Sequence, residues 1–291
     1  MTQPKDQPTG VIAAAISYAI WGVVVAYWKA LGGVSAWEVL AHRVLWCLVF
    51  LTPIVVSLGL VAAIRQALSS RRSLMALAVS ATLIGFNWGI FIWAVQEGRI
   101  IETSLGYYIN PLLAIALGVV MMGERLSRWR IAAFVLAGAG VAVQAVALGG
   151  LPWVSIVLAS SFALYGYVRK VVAVAALDGL FVETLLIAPL AAAYAVLLTE
   201  QGRLAFGQGS SLETLLLIGA GPVTAVPLWL FSVGARGVRL STLGFLQYIA
   251  PTISLAAPFV GSVEVAPGFY EVTVGPQSGT PGGAAEGQFF F

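Results

Sequence analysis

The feature that most constrains this chain is a series of long apolar stretches, at about 10–29, 37–61, 74–96, 103–122, 130–148, 151–168, 179–198, 212–234 and 240–260, joined by short segments that hold nearly all the charge. A helix needs about 20 apolar residues to cross the hydrocarbon core of a bilayer. The stretches are continuous and do not alternate with period two, so they predict helices rather than the strands of a barrel. With 60% hydrophobic and 9% charged residues and a mean hydropathy of +0.96, the chain lacks the polar surface to coat a soluble globule of its size. The expectation is an all-α polytopic membrane protein with about nine spanning helices.

The same composition excludes several functions. The net charge of +3 comes from basic residues scattered over short loops, so nucleic acid is not an expected partner. Cys47 is the single cysteine and His42 the single histidine, which leaves no internal disulfide and no set of ligands for a metal. No HExxH, GxSxG or P-loop string occurs, so neither an enzyme nor a resident cofactor is expected, and transport driven by ATP on this chain alone is disfavoured. The first apolar run ends in Tyr27, Trp28 and Lys29 rather than at a small-residue cleavage site, and so reads as a structural helix.

Loop charge predicts orientation. One side collects Lys5, Arg65, Arg71, Arg72, Arg125, Arg128, Arg130, Arg169, Lys170, Arg236 and Arg239, against Lys29, Arg99 and Arg203 on the other, which places the N-terminus in the cytoplasm. The chain also repeats itself. SYAIWG at Ser17–Gly22 is echoed by SFALYG at Ser161–Gly166, Trp37-Glu38 by Val182-Glu183, and SLGYYINP at Ser104–Pro111 by TLGFLQYIAP at Thr242–Pro251. The matches pair helix one with six, two with seven and four with nine, a period of five helices. Five is odd, so the second copy enters the membrane from the opposite side and the repeats are inverted, a recurrent device of transporters. The first repeat is read as 10–148 and the second as 151–260.

EVLAHRVLW at Glu38–Trp46, NWGIFIWAV at Asn87–Val95, SLGYYINPL at Ser104–Leu112, GERLSR at Gly123–Arg128 and STLGFLQYIAPT at Ser241–Thr252 resemble the drug/metabolite transporter superfamily, its EamA-like branch and within that the RarD proteins. The resemblance covers about residues 10–254. It implies a ten-helix transporter of small metabolites or drug-like molecules in the bacterial cytoplasmic membrane, working as exporter or exchanger. The chain departs from that pattern after about Ser254. Residues 262–291, rich in glycine and proline, are expected to form a disordered tail outside the membrane, with the tenth helix lost through a shifted reading frame or truncation, or replaced by a lineage-specific tail. A non-transporting scaffold or an inactive remnant is therefore the alternative. Expected partners are a small-molecule substrate and the bilayer; protons as a coupling ion and a homodimer stay open.

Ionisable groups within spanning helices cost about 2.5–3.5 kcal/mol on insertion scales and are functional or paired, so the few present form the candidate site. Glu38 and His42 share a face of the second helix, with Arg43 turned about 100° from His42. One reading makes Glu38 and His42 an ionisable pair bordering a central cavity, within the pH range a proton gradient spans. The other makes Glu38, His42 and Arg43 fasteners of helix two, or leaves Glu38 in a first turn favoured by the helix dipole. Glu183 is the repeat partner of Glu38 and carries the same two readings. Asn110-Pro111 and Gln247 with Pro251 occupy corresponding helices, where proline frees a carbonyl either near a site or at a plain kink; Asn110 and Gln247 are expected to floor the cavity. Tyr107, Tyr108 and Tyr248 stack on a substrate or pack against lipid. Asn87 is read first as an interhelical hydrogen bond and second as a ligand. Trp28 is assigned to the interfacial belt and Gly123-Glu124 to a helix stop.

Overall fold

A computed structural model of the chain describes residues 6–97, 99–147 and 153–256, and all regular structure among them is helical. The helices are α1 (Pro8–Val23), α2 (Val25–Ala30), α3 (Ala36–Ser57), α4 (Val61–Ser69), α5 (Arg71–Gln96), α6 (Ile100–Met122), α7 (Arg128–Ala147), α8 (Trp153–Val171), α9 (Ala176–Glu200), α10 (Ser211–Gly237), α11 (Leu240–Gln247) and α12 (Ile249–Ala256). Seven helical stretches among the described residues have the length and apolarity to cross a bilayer. The 19-residue α8 and the α11–α12 pair account for the remaining apolar stretches of the sequence. The expected tail at 262–291 and the join at 148–152 lie outside the described residues.

Three details differ from the sequence expectation. The first stretch breaks at Val24, beside Gly22, where α12 presses so close that a Cβ would stand 2.7 Å from Ile253. The ninth breaks at Tyr248, because Pro251 brings no backbone N–H to the carbonyl of Gln247 and the chain closes with a three-residue turn instead. An extra short helix, α4, fills what reads as loop: nine residues cannot span, but Ile64 and Ala67 bury one face of it against its neighbours.

The most extensive packings all join a helix of the first half to one of the second. α1 lies on α10, and α8 on α5; α6 lies on α8, and α12 on α1; α3 lies on α10, and α9 on α5; α3 meets α9 and α6 meets α11. Each of the first three packings is answered by its repeat-swapped counterpart, and the last two are their own counterparts, as a two-fold axis between the copies requires. The copies also run in opposite directions. Gln7, ahead of α1, donates its N–H to Gly237 O at 2.9 Å, and Lys170, at the end of α8, donates to the carbonyls of Ala235 and Val238. The start of α1 and the end of α8 therefore share one face of the bundle.

Lipid tails are as apolar as leucine, so helices in a membrane gain from close backbone approach and hydrogen bonds rather than from hiding apolar surface. Gly10 and Gly237 touch backbone to backbone across α1 and α10, and a Cβ on Gly234 would stand 2.7 Å from Ala14 Cβ. Higher up, Ser17 donates to Pro227 O at 2.8 Å. Between α3 and α10 the contact is Gly221 against the Trp46 carbonyl. The central core is a knot of rings in which Tyr18 and Trp21 of the first copy meet Phe162 and Tyr165, their counterparts in the second, around Phe231.

At the face that carries the N-terminus, two carboxylates take up the first N–H groups of α11. Asp6 Oδ1 accepts from Arg239 N at 2.7 Å, and Glu124 accepts from Leu240 N at 2.6 Å and Ser241 N at 2.9 Å. Gly123 lets the chain turn there: its φ of 64° is left-handed and ends α6 so that Glu124 points back at α11. Asp6 also pairs with the Arg239 guanidinium at 2.9 Å and accepts from Thr242.

Gly221→Ala is expected to lower stability by about 1–3 kcal/mol, because the new methyl meets backbone that cannot retreat. Gly138→Ala on α7, with nothing within 4 Å of its Cβ, is expected to leave stability unchanged or slightly raised, since alanine loses less backbone freedom in a helix than glycine; thermal unfolding in detergent compares them. The Asp6 latch has a pH signature. Partial burial pushes the Asp6 carboxyl up, but hydrogen bonds from Arg239 and Thr242 outweigh it and hold the pKa at about 2, below the ordinary 3.8. Its contribution is complete above 3.8 and is lost as pH falls through about 2. Wild type is expected to lose unfolding temperature across that window, and Asp6→Asn to lack that component while being less stable at neutral pH.

Candidate functional site

Two arginines are carried into the interior, and they are held differently. Arg169, on the last turn of α8, is fully buried. It can lie flat across α9 because residue 179 is glycine; any Cβ there would occupy the space of the guanidinium. Its Nη1 stands 3.3 Å from Glu183 Oε1, its Nε donates to Ser232 at 3.2 Å and its Nη2 to Ala176 O at 2.8 Å. Glu183 is closed in from the other side by the hydroxyls of Ser80 at 2.5 Å and Tyr165 at 3.5 Å. The ion pair so joins α8 and α9 of the second half to α5 of the first.

Arg43 has no such partner. Its Nε donates to Thr224 Oγ1 at 3.1 Å, and its carbon lies 4.4 Å from the ring centre of Trp28 and 4.5 Å from that of Trp88. Arg43 and Glu183 line the same cavity, with Trp88, Thr184, Thr224 and Leu228 among the other walls. The cavity therefore draws on both halves. Its volume of about 20 Å³ admits roughly one water molecule, so this conformation is closed to a metabolite.

A second, smaller cavity lies beside the ring knot, lined by Tyr18, Phe162, Asn110 and Gln247 among others. Asn110 and Gln247 thus come together from α6 and α11, while Tyr18 Oη and Asn110 Oδ1 are buried and have no hydrogen-bond partner among the described residues. Close backbone approach creates this meeting: Gly244 of α11 rests on the carbonyl of Pro111.

Glu38 and His42 are buried but face neither cavity. Glu38 Oε1 accepts from Ala205 N at 2.8 Å and Phe206 N at 3.0 Å, and so ties α3 to the loop between α9 and α10. His42 stacks on Phe206, accepts from Trp46 Nε1 at 3.1 Å, and holds its Nε2 3.9 Å from Glu38. Asn87 donates to Leu158 O at 2.8 Å and Ser161 Oγ at 2.9 Å, an interhelical clasp. Tyr107 is half exposed with its ring edge to Phe91, and Tyr248 donates to Tyr108 O at 3.5 Å.

Sequence reasoning passed over Trp28, Trp88, Thr224 and Arg169. Trp28 is the instructive one, since its place at a helix end reads as interfacial while its ring lies on Arg43. A signal was present for Arg169: a basic residue one helical turn beyond a repeated motif, with a glycine nearby in the next helix.

Residues 8–145 match the model of the EamA-like transporter family. Protein RarD of Salmonella typhi is 43% identical over 261 residues, covering 89% of each chain. The chain belongs to the RarD branch of the EamA-like transporters. An uncharacterized transporter of Vibrio cholerae is 42% identical over 86% of this chain and 82% of its own. A crystal structure of a protein only 17% identical superposes with a TM-score of 0.68 over 89% of this chain, which establishes a shared fold. As an EamA-like protein the chain is a multi-pass membrane transporter.

Replacing Glu183 by alanine leaves Arg169 buried and uncompensated, and is expected to cost about 3–5 kcal/mol, read as lost folded yield and lowered unfolding temperature. Replacing both partners, as Arg169→Met with Glu183→Leu, is expected to recover much of that loss.

Proposed function

We propose that this EamA-like protein is a secondary transporter, an exporter or exchanger, that moves small metabolites or drug-like molecules by alternating access between its inverted repeats. It resides in the bacterial cytoplasmic membrane with the N-terminus inside. The observation that carries this reading is the Arg43 cavity, in which a few polar and aromatic groups are set in an aliphatic wall drawn from both halves at the repeat interface. A scaffold needs no charged group at that place, where one is costly to keep. The cavity is too small for a metabolite as it stands, so carriage requires the helices around it to part. A proton, if it is the coupling ion, acts at the Glu38–His42 pair, where the imidazole Nε2 stands 3.9 Å from the carboxylate.

Purified protein in proteoliposomes is expected to carry at least one labelled compound from a panel of aromatic and aliphatic metabolites faster than empty liposomes do, with the rate changed by an imposed pH gradient. His42→Gln is expected to fold and to lose the gradient's effect. Correctly folded protein that moves none of the panel would favour the scaffold reading.

A further inference from the structure

A guanidinium stays charged at any physiological pH, so its surroundings must answer that charge. The arginine–carboxylate pairs among the described residues are Arg99 with Glu102, Arg169 with Glu183 and Arg239 with Asp6, and Arg43 is in none of them. Glu183 shares its cavity but is engaged by Arg169, Ser80 and Tyr165. Glu38, on the same helix, turns to the N–H groups of Ala205 and Phe206. The cavity wall itself carries one guanidinium, Arg43, and one carboxylate, Glu183, and that carboxylate is already held by Arg169 from outside the wall.

The way Arg43 is held shows which part of it is free to work. Trp28 and Trp88 are within 4.5 Å of its carbon, and Thr224 takes its Nε. Aromatic faces and a hydroxyl stabilise a cation without neutralising it. Nη1 and Nη2 make no hydrogen bond among the described residues, so the edge that binds a carboxylate through two parallel bonds is the edge left open. Most of the remaining wall is apolar: Val44, Ile84, Ile187 and Leu228.

We propose that Arg43 is the group that recognises the transported molecule, and that the molecule is a small organic carboxylate with an apolar or aromatic body. This rests on the transport reading above and names its substrate class. The carboxylate meets the open edge of the guanidinium, and the body lies along Trp88 and the aliphatic wall. Without substrate the cavity holds an unanswered cation and closes to little more than the size of a water molecule; with it, charge is balanced and the walls part around the body.

The test uses the full chain in detergent and three probes of one size and different charge: benzoate, benzamide and benzylamine. Benzoate is expected to raise the unfolding temperature in a saturable way, and the other two are not. Arg43→Gln is expected to weaken the benzoate response by about tenfold or more, and Arg43→Lys to keep part of it, since an ammonium supplies charge without the fork. If Arg43→Gln does not fold, the wild-type charge series and Arg43→Lys still decide. A wild type indifferent to benzoate, equally responsive to benzamide or benzylamine, or stabilised as strongly by chloride, overturns the proposal, as does an unchanged response in Arg43→Gln. Labelled flux in proteoliposomes separates this from the transport reading. Benzoate that binds but never crosses counts against transport alone; flux of benzylamine or benzamide that ignores Arg43 keeps transport and removes the carboxylate.

Discussion

A polar group buried between these helices cannot turn to water, and lipid offers it nothing. Donors and acceptors carried into the bundle therefore depend on partners in other segments, with Tyr18 Oη and Asn110 Oδ1 left without one among the described residues, and these partnerships hold the architecture together. Asp6 and Glu124 serve the start of α11, Asn87 clasps α8, Lys170 and Arg236 serve carbonyls at helix ends, and Arg169 with Glu183 joins three helices. Glycine and alanine let the backbones come near enough for such bonds to form, as at Gly10 with Gly237 and at Ala14 with Gly234. Against that background of answered groups, Arg43 stands out because the answers it receives are neutral.

Much of the fold was legible in the sequence because its determinants are local. A run of about 20 apolar residues is a spanning helix whatever surrounds it, and the echo of SYAIWG in SFALYG led to two copies whose rings meet in the core. The capping box that starts α10, Ser210 with Glu213, is equally local. What could not be read was which distant segment a polar residue serves. Nothing near Glu124 says that it caps a helix starting at Leu240, and nothing near Trp28 says that it covers an arginine on the next helix.

The candidate site divides along the same line. Glu38, His42 and Arg43 are neighbours on one helix, yet a turn of about 100° per residue sends Arg43 to different surroundings from the other two. Glu38 and His42 went to the loop around Phe206, and Arg43 went to the cavity. Asn110 and Gln247, chosen for their matching places in the two copies, do come together, although at the smaller cavity. The matched pair Glu38 and Glu183, by contrast, lies apart: one holds the N–H groups of Ala205 and Phe206, the other the Arg169 guanidinium.

The exchange of partners between halves also bears on how the protein is made. α1, α3, α5 and α6 each find their main neighbours among helices that begin at or after Trp153. While the ribosome is still threading the first half into the bilayer, Ser17, Ser80 and Asn87 lack the residues they later bond, namely Pro227, Glu183 and Leu158. The early helices must wait in the membrane, loosely gathered and with polar groups unanswered, until the late ones arrive. Maturation is then a late, concerted step, and a nascent chain halted midway leaves a set of helices for quality control to clear rather than half a transporter.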